Sequence, residues 1–544
     1  MKVCLLYEDH ERGREKDYYD TESIIQDLGL DSLFLVASKE VIYDDGEVKK
    51  LEAEDSFVLE TLHKTMMVPL NTKEEIEFRQ DVVRDSLKFP ELIRGLYGIC
   101  ISVLNSWDEQ GSGRDRINQG SPAQALVYEI RRLRKYCDAL ARIRDTMMRQ
   151  NGLTSKGLTM FRGELLMAFP LEREANIRKL LDDVLFFTDR ITVNDEYREK
   201  LMRPRIVLEC RLEDGLKLGP MKVQEVSSET SKFFKRGGTR EKIQRFREGR
   251  IPDSFPTIED PRVLGYTHQL EFELVNHLIK KLKNFKEEFR TFFEQLKFQT
   301  AFYVGAIQIV QHIERFGMEY CFPEVCDRRD LMFEDLKEFV MAIEQRIHVI
   351  GNTTSLKQKD LLIVTGANQG GKSTFLRSIG IALIMMQCGL PVTAHSFKSG
   401  IFPRIFVHFT RREDSAMNSG RLDEELKRMN DIIEHIGDGS LIMLNESFAT
   451  TTEREGAVIA YDIIRALQEA GVRILTVTHL LSFAERVYNE TKDDPDSGVA
   501  FLSAERRQDG TRTYHMIPGE PTFTSFGLDL YEKIVGNIGT SGSV

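Results

Sequence analysis

The sequence predicts an α/β domain over the C-terminal part of the chain, preceded by a mainly α-helical region that carries a small inserted segment. Three observations point there. Residues 366–373 read Gly366-Ala-Asn-Gln-Gly-Gly-Lys-Ser373, a complete G-x-x-x-x-G-K-S run, directly behind the short apolar run Leu361–Thr365. Beyond that run, short apolar stretches alternate with helical ones, as a parallel sheet requires. Upstream, apolar residues recur at helical spacing over long windows.

Taken from the N-terminus, residues 55–104 carry helical spacing in Val58, Leu59 and Leu62 and again in Ile76, Phe78, Val82, Val83 and Leu87, interrupted at Val68-Pro69-Leu70. Residues 106–122 are rich in Gly, Ser and Asp and read as a loop or boundary. Two long helical patterns follow at about 123–150 and 157–190, then a strand-like patch at 204–212. From Lys232 to Arg250 the chain holds eight Lys or Arg against two Glu, with Phe233, Phe234 and Phe246 interleaved and a Gly237-Gly238 hinge. Lys232, Lys235, Arg236, Arg240, Lys242 and Arg245 are the candidate nucleic-acid contacts in that run, because a polyanion needs a basic footprint. A second basic stretch, Arg131-Arg-Leu-Arg-Lys135, lies on a helical pattern with Arg142 and Arg144. Residues 258–318 again read as one long helix.

The glycine run has a chemical reading. Glycines let backbone N–H groups converge on phosphate oxygens, Lys372 reaches the β- and γ-phosphates, and the Ser373 hydroxyl can ligate Mg²⁺ at a helix start. ATP and Mg²⁺ are therefore the expected ligands, and the fold class is α/β of the P-loop kind. Leu441–Leu444 reads as a buried strand followed by Asn445-Glu446, and Ile474–Thr478 as another followed by His479, with a helix over 456–470 between them. Strand ends are where such sheets set ligand-contacting groups. Glu446 is thus the candidate to orient or deprotonate the attacking water, and His479 to sense the γ-phosphate.

Composition frames these readings. At about 150 residues per domain, 544 residues hold about two to four domains, and 41% hydrophobic content supplies real cores. Seven cysteines (4, 100, 137, 210, 321, 326 and 388) form no C-x-x-C pair, so free thiols in a reducing cytoplasm are expected. The acidic N-terminus and the absence of a long apolar run predict neither a targeting segment nor a membrane span, and a cytoplasmic location. A net charge of −11 means that any nucleic-acid contact must be local.

The motifs resemble a known family. Thr365-Gly-Ala-Asn-Gln-Gly-Gly-Lys-Ser-Thr-Phe-Leu-Arg377 looks like the P-loop of the MutS mismatch-repair ATPases, including Asn368. Asn445-Glu-Ser-Phe-Ala-Thr-Thr-Thr-Glu-Arg-Glu-Gly456 is similar to its Walker B and following loop, and Thr478-His479 to its switch. Phe402–Phe406, Glu413-Asp414 and Ser419-Gly420-Arg421 resemble the region leading into its trans-acting signature loop, and Pro521–Gly527 its closing motif. Val68–Val83 looks like the start of its helical core and lever.

The resemblance implies an ABC-type ATPase that works as a homodimer, each site completed by the partner's signature loop, moving levers that grip DNA. It implies nucleotide contacts at Gly366, Asn368, Gly370, Gly371, Lys372, Ser373 and Thr374, with Ser419, Gly420 and Arg421 acting in trans, and Mg²⁺ at Ser373 and Asn445. The expected division is 1–105 for the N-terminal segment and start of the core, 106–335 for lever and core with a clamp-like insertion at about 195–257, and 336–544 for the ATPase domain. Two departures stand out. The core-like motif begins near residue 68, which leaves no room ahead of it for a mismatch-reading domain and connector, and Asn445 replaces the Walker B aspartate, which weakens metal affinity and slows turnover. The expected function is an ATPase clamp on duplex or branched DNA without its own mismatch reader. The alternative is an ATP-gated interaction protein acting on RNA, a ribonucleoprotein or a protein partner with little turnover.

Overall fold

The computed structural model describes residues 2–8, 17–39, 41–44, 47–51, 55–111, 122–192, 205–213, 217–227, 261–410, 420–494, 496–507 and 511–521. Its strands are β1 (Val41–Asp44), β2 (Glu47–Leu51), β3 (Arg205–Glu213), β4 (Lys217–Ser227), β5 (Glu324–Val325), β6 (Leu331–Leu336), β7 (Asn352–Leu356), β8 (Leu361–Thr365), β9 (Ser396–Ser399), β10 (Ile405–Phe409), β11 (Leu441–Asn445), β12 (Arg473–Val477), β13 (Val499–Arg506) and β14 (Arg512–Pro518). The chain divides into two compact units: Met1–Ser102 with Ile143–Ala168 and Phe292–Val544, and Val103–Arg142 with Phe169–Thr291.

The first unit is built on a six-stranded sheet in the order β10-β11-β12-β8-β13-β14. The first four strands and the β8–β13 pair run parallel, and β14 turns back antiparallel on β13. Strands β8, β10 and β12 are buried along their whole length, as strands of a parallel sheet covered on both faces are, and they show no apolar–polar alternation. A core of Ile363, Phe406, Ile442, Leu444, Ile464 and Ile474 lies on one face, closed by the Glu453–Glu469 helix. A second sheet, in the order β5-β9-β6-β7, is made of the three strands before β8 in the chain and the one after it.

The Lys372–Gln387 helix is buried nearly all round, because the N-terminal segment covers what the sheet does not. A Cβ on Gly380, in the middle of that helix, would sit 2.7 Å from Leu28 Cδ2 and 2.9 Å from Met443 Cε, so the glycine lets the Thr21–Leu28 helix and β11 approach closely, and a larger residue would displace those side-chain ends. Arg79, fully buried on the Lys73–Lys88 helix, ties the same region together. Its Nε donates to Leu6 O at 3.1 Å, one terminal nitrogen donates to Cys388 O at 3.3 Å, and its guanidinium lies 4.7 Å from the Tyr7 ring centre.

The second unit consists of helical segments and the β3–β4 hairpin, which pairs antiparallel with two register shifts. Its helices are tied by Lys286 to Glu129 at 3.5 Å and by Arg178 to Asp138, with Glu174, one turn back on Arg178's own helix, also holding the guanidinium. The Pro261–Arg315 helix runs for 55 residues, in line with the expected 258–318.

Three local expectations need correction. The helix beginning at Pro90 runs on to Gly111, into the stretch read as a loop from 106, because nothing between Gly98 and Gly111 breaks it. The helix expected over 157–190 is two helices, Lys156–Ala168 and Leu171–Thr192. Pro170 has no N–H to donate and disfavours helical backbone at Phe169, so the first must end there. The isolated strand expected at 204–212 is half of a hairpin whose partner, Lys217–Ser227, carries a glycine and a proline that hid it. The basic run 232–250, the residues Glu413, Asp414 and Ser419, and residues 522–527 of the closing motif lie outside the described residues.

Candidate functional site

The site forms where β8 gives way to the Lys372–Gln387 helix. Gly366 (φ +116°) and Gly371 (φ +88°) take left-handed backbone that side chains avoid. At Gly370 the reason is space: a Cβ would lie 2.9 Å from Ala367 O and 3.0 Å from Ala504 Cβ. The turn therefore brings bare backbone to the helix start, where unpaired N–H groups and the helix dipole favour an anion. Lys372 is buried, and its Nζ donates to the carbonyls of Gly366 at 2.9 Å and Ala367 at 3.0 Å. Burial lowers its pKa, and the nearby Glu446 charge opposes that.

The neighbouring strands deliver the other groups by register. In β11 and β12, Asn445 pairs with Val477, and β12 pairs with β8 through Val477 and Val364. The chain leaves all three strands at one edge, so Asn445-Glu446 and Thr478-His479 emerge beside Gly366. Ser373 Oγ donates to Asn445 Oδ1 at 2.8 Å, an interaction that turns the serine lone pairs outward. Glu446 sits in left-handed backbone (φ +55°), held by its N–H on Val477 O at 2.8 Å and by the Thr410 hydroxyl on its carbonyl at 2.8 Å. Such backbone costs a non-glycine residue about 1 kcal/mol. His479 Nδ1 stands 3.9 Å from Glu446 Oε1, beyond hydrogen-bond length. His479, with Lys372 behind it, holds the Glu446 carboxyl below its ordinary range against the opposing effect of burial.

Two cavities meet at this point. One, of about 440 Å³, is bounded by Gly370 to Phe375 on one side and by Glu338, Met341 and residues 347–350 on the other, with Tyr514 over Gly371. The second, of about 730 Å³, is lined by Asn368, Gln369, Glu446, Glu453, His479, Leu481 and Ser482. Glu446 borders both. The arrangement suits a ligand with an apolar end in the first cavity and a polyanionic end at the helix start, with a polar space for water beyond it. Among the described residues no cluster of three or more His, Cys, Asp or Glu side chains could hold a metal ion alone. A divalent cation here would have to share its coordination with phosphate oxygens, as Mg²⁺ commonly does.

The residues singled out in the sequence thus fall into three groups. Gly370, Gly371, Lys372, Ser373, Thr374 and Glu446 line the first cavity, Asn368, Glu446 and His479 the second, and Gly366 and Asn445 join them through hydrogen bonds to Lys372 and Ser373. Gly420 and Arg421 begin the Arg421–His435 helix and line neither cavity. Ser419 and the six basic residues from Lys232 to Arg245 lie outside the described residues. Sequence reading missed the far wall. Asn352 fixes it, donating to Tyr514 O at 3.2 Å and accepting from Met516 N–H at 2.7 Å, a contact between β7 and β14 that no local sequence pattern carries.

A family model described as MutS domain V matches residues 362–536, and one described as MutS2 N-terminal domain matches residues 71–316. The chain belongs to the MutS family. The DNA mismatch repair protein MutS of Microcystis aeruginosa is 27% identical to this MutS-family chain over 295 residues, 50% of the chain and 32% of that protein. An Endonuclease MutS2 of Carboxydothermus hydrogenoformans is 28% identical over 274 residues, 49% of the chain and 34% of that protein. The Probable DNA mismatch repair protein Msh6 of Drosophila melanogaster is 26% identical over 252 residues, covering 45% and 21%. These matches span about a third of the curated relatives' length or less. In this MutS-family chain no helix of the described residues is long and apolar enough to cross a membrane. Cys100, Cys137, Cys321, Cys326 and Cys388 are free thiols.

Proposed function

We propose that this MutS-family chain is an ATP-dependent DNA-binding protein that hydrolyses ATP at the β8 turn and closes as a homodimer on duplex or branched DNA. The observation that carries the hydrolytic part is the Ser373–Asn445 hydrogen bond with Glu446 next in the chain, which gathers a serine oxygen, a lysine and a carboxylate at one helix start. ATP fits the site: the P-loop backbone and Lys372 would hold the phosphates, and the first cavity the nucleoside. Ser373 would ligate Mg²⁺, with Asn445 orienting the serine from behind. A bound Mg²⁺ would supply charge neutralisation on the β- and γ-phosphate oxygens.

In this reading Glu446, kept ionised, orients a water in the second cavity and takes its proton, while His479 faces the γ-phosphate side. Lys372 gives up the Gly366 and Ala367 carbonyls for phosphate oxygens. Ser419, Gly420 and Arg421 serve the partner's nucleotide, and the Lys232–Arg250 run neutralises DNA phosphates without reading bases. Names containing "DNA mismatch repair protein" among the relatives support DNA as the target.

The test is steady-state ATP turnover of the full chain alone and with duplex DNA, branched DNA and RNA, together with binding at moderate salt. DNA-stimulated turnover, lost when Lys235, Arg236, Arg240 and Lys242 become Glu, is the expected result. If no DNA binds or alters turnover, the DNA reading fails. Asn445 favours a second reading, an ATP-gated interaction protein on RNA or a protein partner with little turnover. RNA binding without DNA binding would select it.

A further inference from the structure

The loop behind Glu446 is held by an unusual set of buried polar groups. Glu446 (φ +55°) and Phe448 (φ +66°) both take left-handed backbone, so the loop cannot keep this shape unless its surroundings enforce it. Two loop residues reach into the protein. Ser447 Oγ lies 2.7 Å from Nδ1 of His408 and donates to the His408 carbonyl at 2.9 Å. Thr450 Oγ1 donates to Glu425 Oε2 at 2.6 Å.

Glu425 and His408 belong to different elements yet act as one block. His408, on β10, is fully buried, and its Nε2 stands 3.2 Å from the Glu425 carbonyl. Glu425 lies one turn into the Arg421–His435 helix and is itself buried. Its second carboxylate oxygen, Oε1, is 3.4 Å from the Thr410 hydroxyl. That hydroxyl has one proton and three acceptors within reach: the Glu446 carbonyl at 2.8 Å, the Asn445 carbonyl at 3.3 Å and Glu425 Oε1. At present the proton serves Glu446. The placement of Glu425 thus sets how that single proton is shared, and with it one of the two ties that fix the Glu446 backbone.

We infer that Glu425 is a positioning residue that couples the start of the Arg421–His435 helix to Glu446 in the same chain, through Thr410, Thr450 and His408. This rests on the dimeric reading above, in which Gly420-Arg421 touches the partner's nucleotide. Engagement of that helix start then sets the Thr410 proton, and with it the carboxylate of its own chain, so each site reports its occupancy to the other.

The test uses the full chain and follows turnover per chain as protein concentration carries it from monomer to dimer, with dimerisation followed by sedimentation. Fluorescent ATP affinity and thermal unfolding are measured alongside. Wild-type turnover rises on dimerisation. Glu425→Gln keeps size and fold, binds nucleotide within about twofold of wild type, and loses most of that rise, with kcat lower by about tenfold, the scale on which a slightly misplaced catalytic group acts. Thr410→Val behaves likewise, and Thr410→Ser, which keeps the proton, restores the rise. Wild-type-like kcat and concentration dependence in Glu425→Gln and Thr410→Val overturn the relay alone. Nucleotide binding without any wild-type turnover overturns the hydrolytic reading, and the relay with it.

Discussion

Replacing Asn445 by Asp tests the metal chemistry of the site directly. Asn445 Oδ1 accepts the Ser373 proton at 2.8 Å, and a carboxylate oxygen can accept it in the same place, so the geometry survives the change. What changes is charge. A Mg²⁺ ion about 2.1 Å from the Ser373 oxygen lies no more than about 4.9 Å from that carboxylate. Even with the full dielectric screening of water, a −1/+2 pair at that distance gains about 1.7 kcal/mol, or roughly twentyfold in affinity. Asn445 is only half-buried, so the water-screened figure is the safer one. It also falls inside the 10–100-fold that groups behind a metal ligand commonly command. The assay is ATP turnover, or fluorescent ATP binding, titrated with Mg²⁺ at fixed nucleotide. The half-saturating Mg²⁺ concentration should fall by at least about tenfold in Asn445→Asp. An unchanged or higher Mg²⁺ requirement would refute the placement of Mg²⁺ on Ser373.

Two further perturbations follow from buried groups. Burial pushes the Glu338 carboxyl from an ordinary 4.5 up to about 7, against the pull of the Met341 N–H and the Arg377 charge, with Glu344 adding to the rise. Because the folded value is the higher one, its contribution is fully present below pH 4.5 and is lost as pH rises through 7, by about 3 kcal/mol at most. Glu338→Gln cannot ionise, so its unfolding midpoint relative to wild type should climb between pH 5 and pH 8; parallel midpoints across that range would count against the burial argument. Gly370→Ala drives a methyl against Ala367 O and Ala504 Cβ, neither of which can swing aside, and should weaken fluorescent ATP binding by at least about tenfold. Gly163→Ala, on a helix with nothing within 4 Å of the new methyl, is the matched control and should leave binding untouched.

What was legible in the sequence is what is local. The Gly366–Ser373 turn, the strand ends at Asn445 and Val477, and the long helix after Pro261 each show in a few adjacent residues or a single period. Strand ends also announced Glu446 and His479, because parallel register brings neighbouring C-termini to one edge. The far wall of the first cavity was not legible, since Glu338 caps the short helix after β6 and Asn352 opens β7 of the other sheet, and Asn352 bonds Tyr514 and Met516 from far away in the sequence. The Glu425 block was hidden for a similar reason. His408, Glu425 and Thr450 are a histidine, an acid and a hydroxyl with no common period, joined only once β10 and β11 pair. The break at Pro170 was legible in principle: a proline inside a helical period outweighs the period.

The cover that the first residues lay over the Lys372–Gln387 helix has a consequence for how the protein is made. Leu28 meets Gly380, Leu6 meets Arg79 and through it Cys388, so the earliest part of the chain completes a core whose other half is translated more than three hundred residues later. At about 5–20 residues per second, the Thr21–Leu28 helix waits roughly 20–70 s on the ribosome with the side that meets the Lys372–Gln387 helix uncovered. Such long-range closure slows folding and lengthens exposure to aggregation. Chaperone demand during synthesis, and poor yield of any fragment that separates the first 40 residues from the C-terminal half, are therefore built into where Leu28 and Gly380 meet.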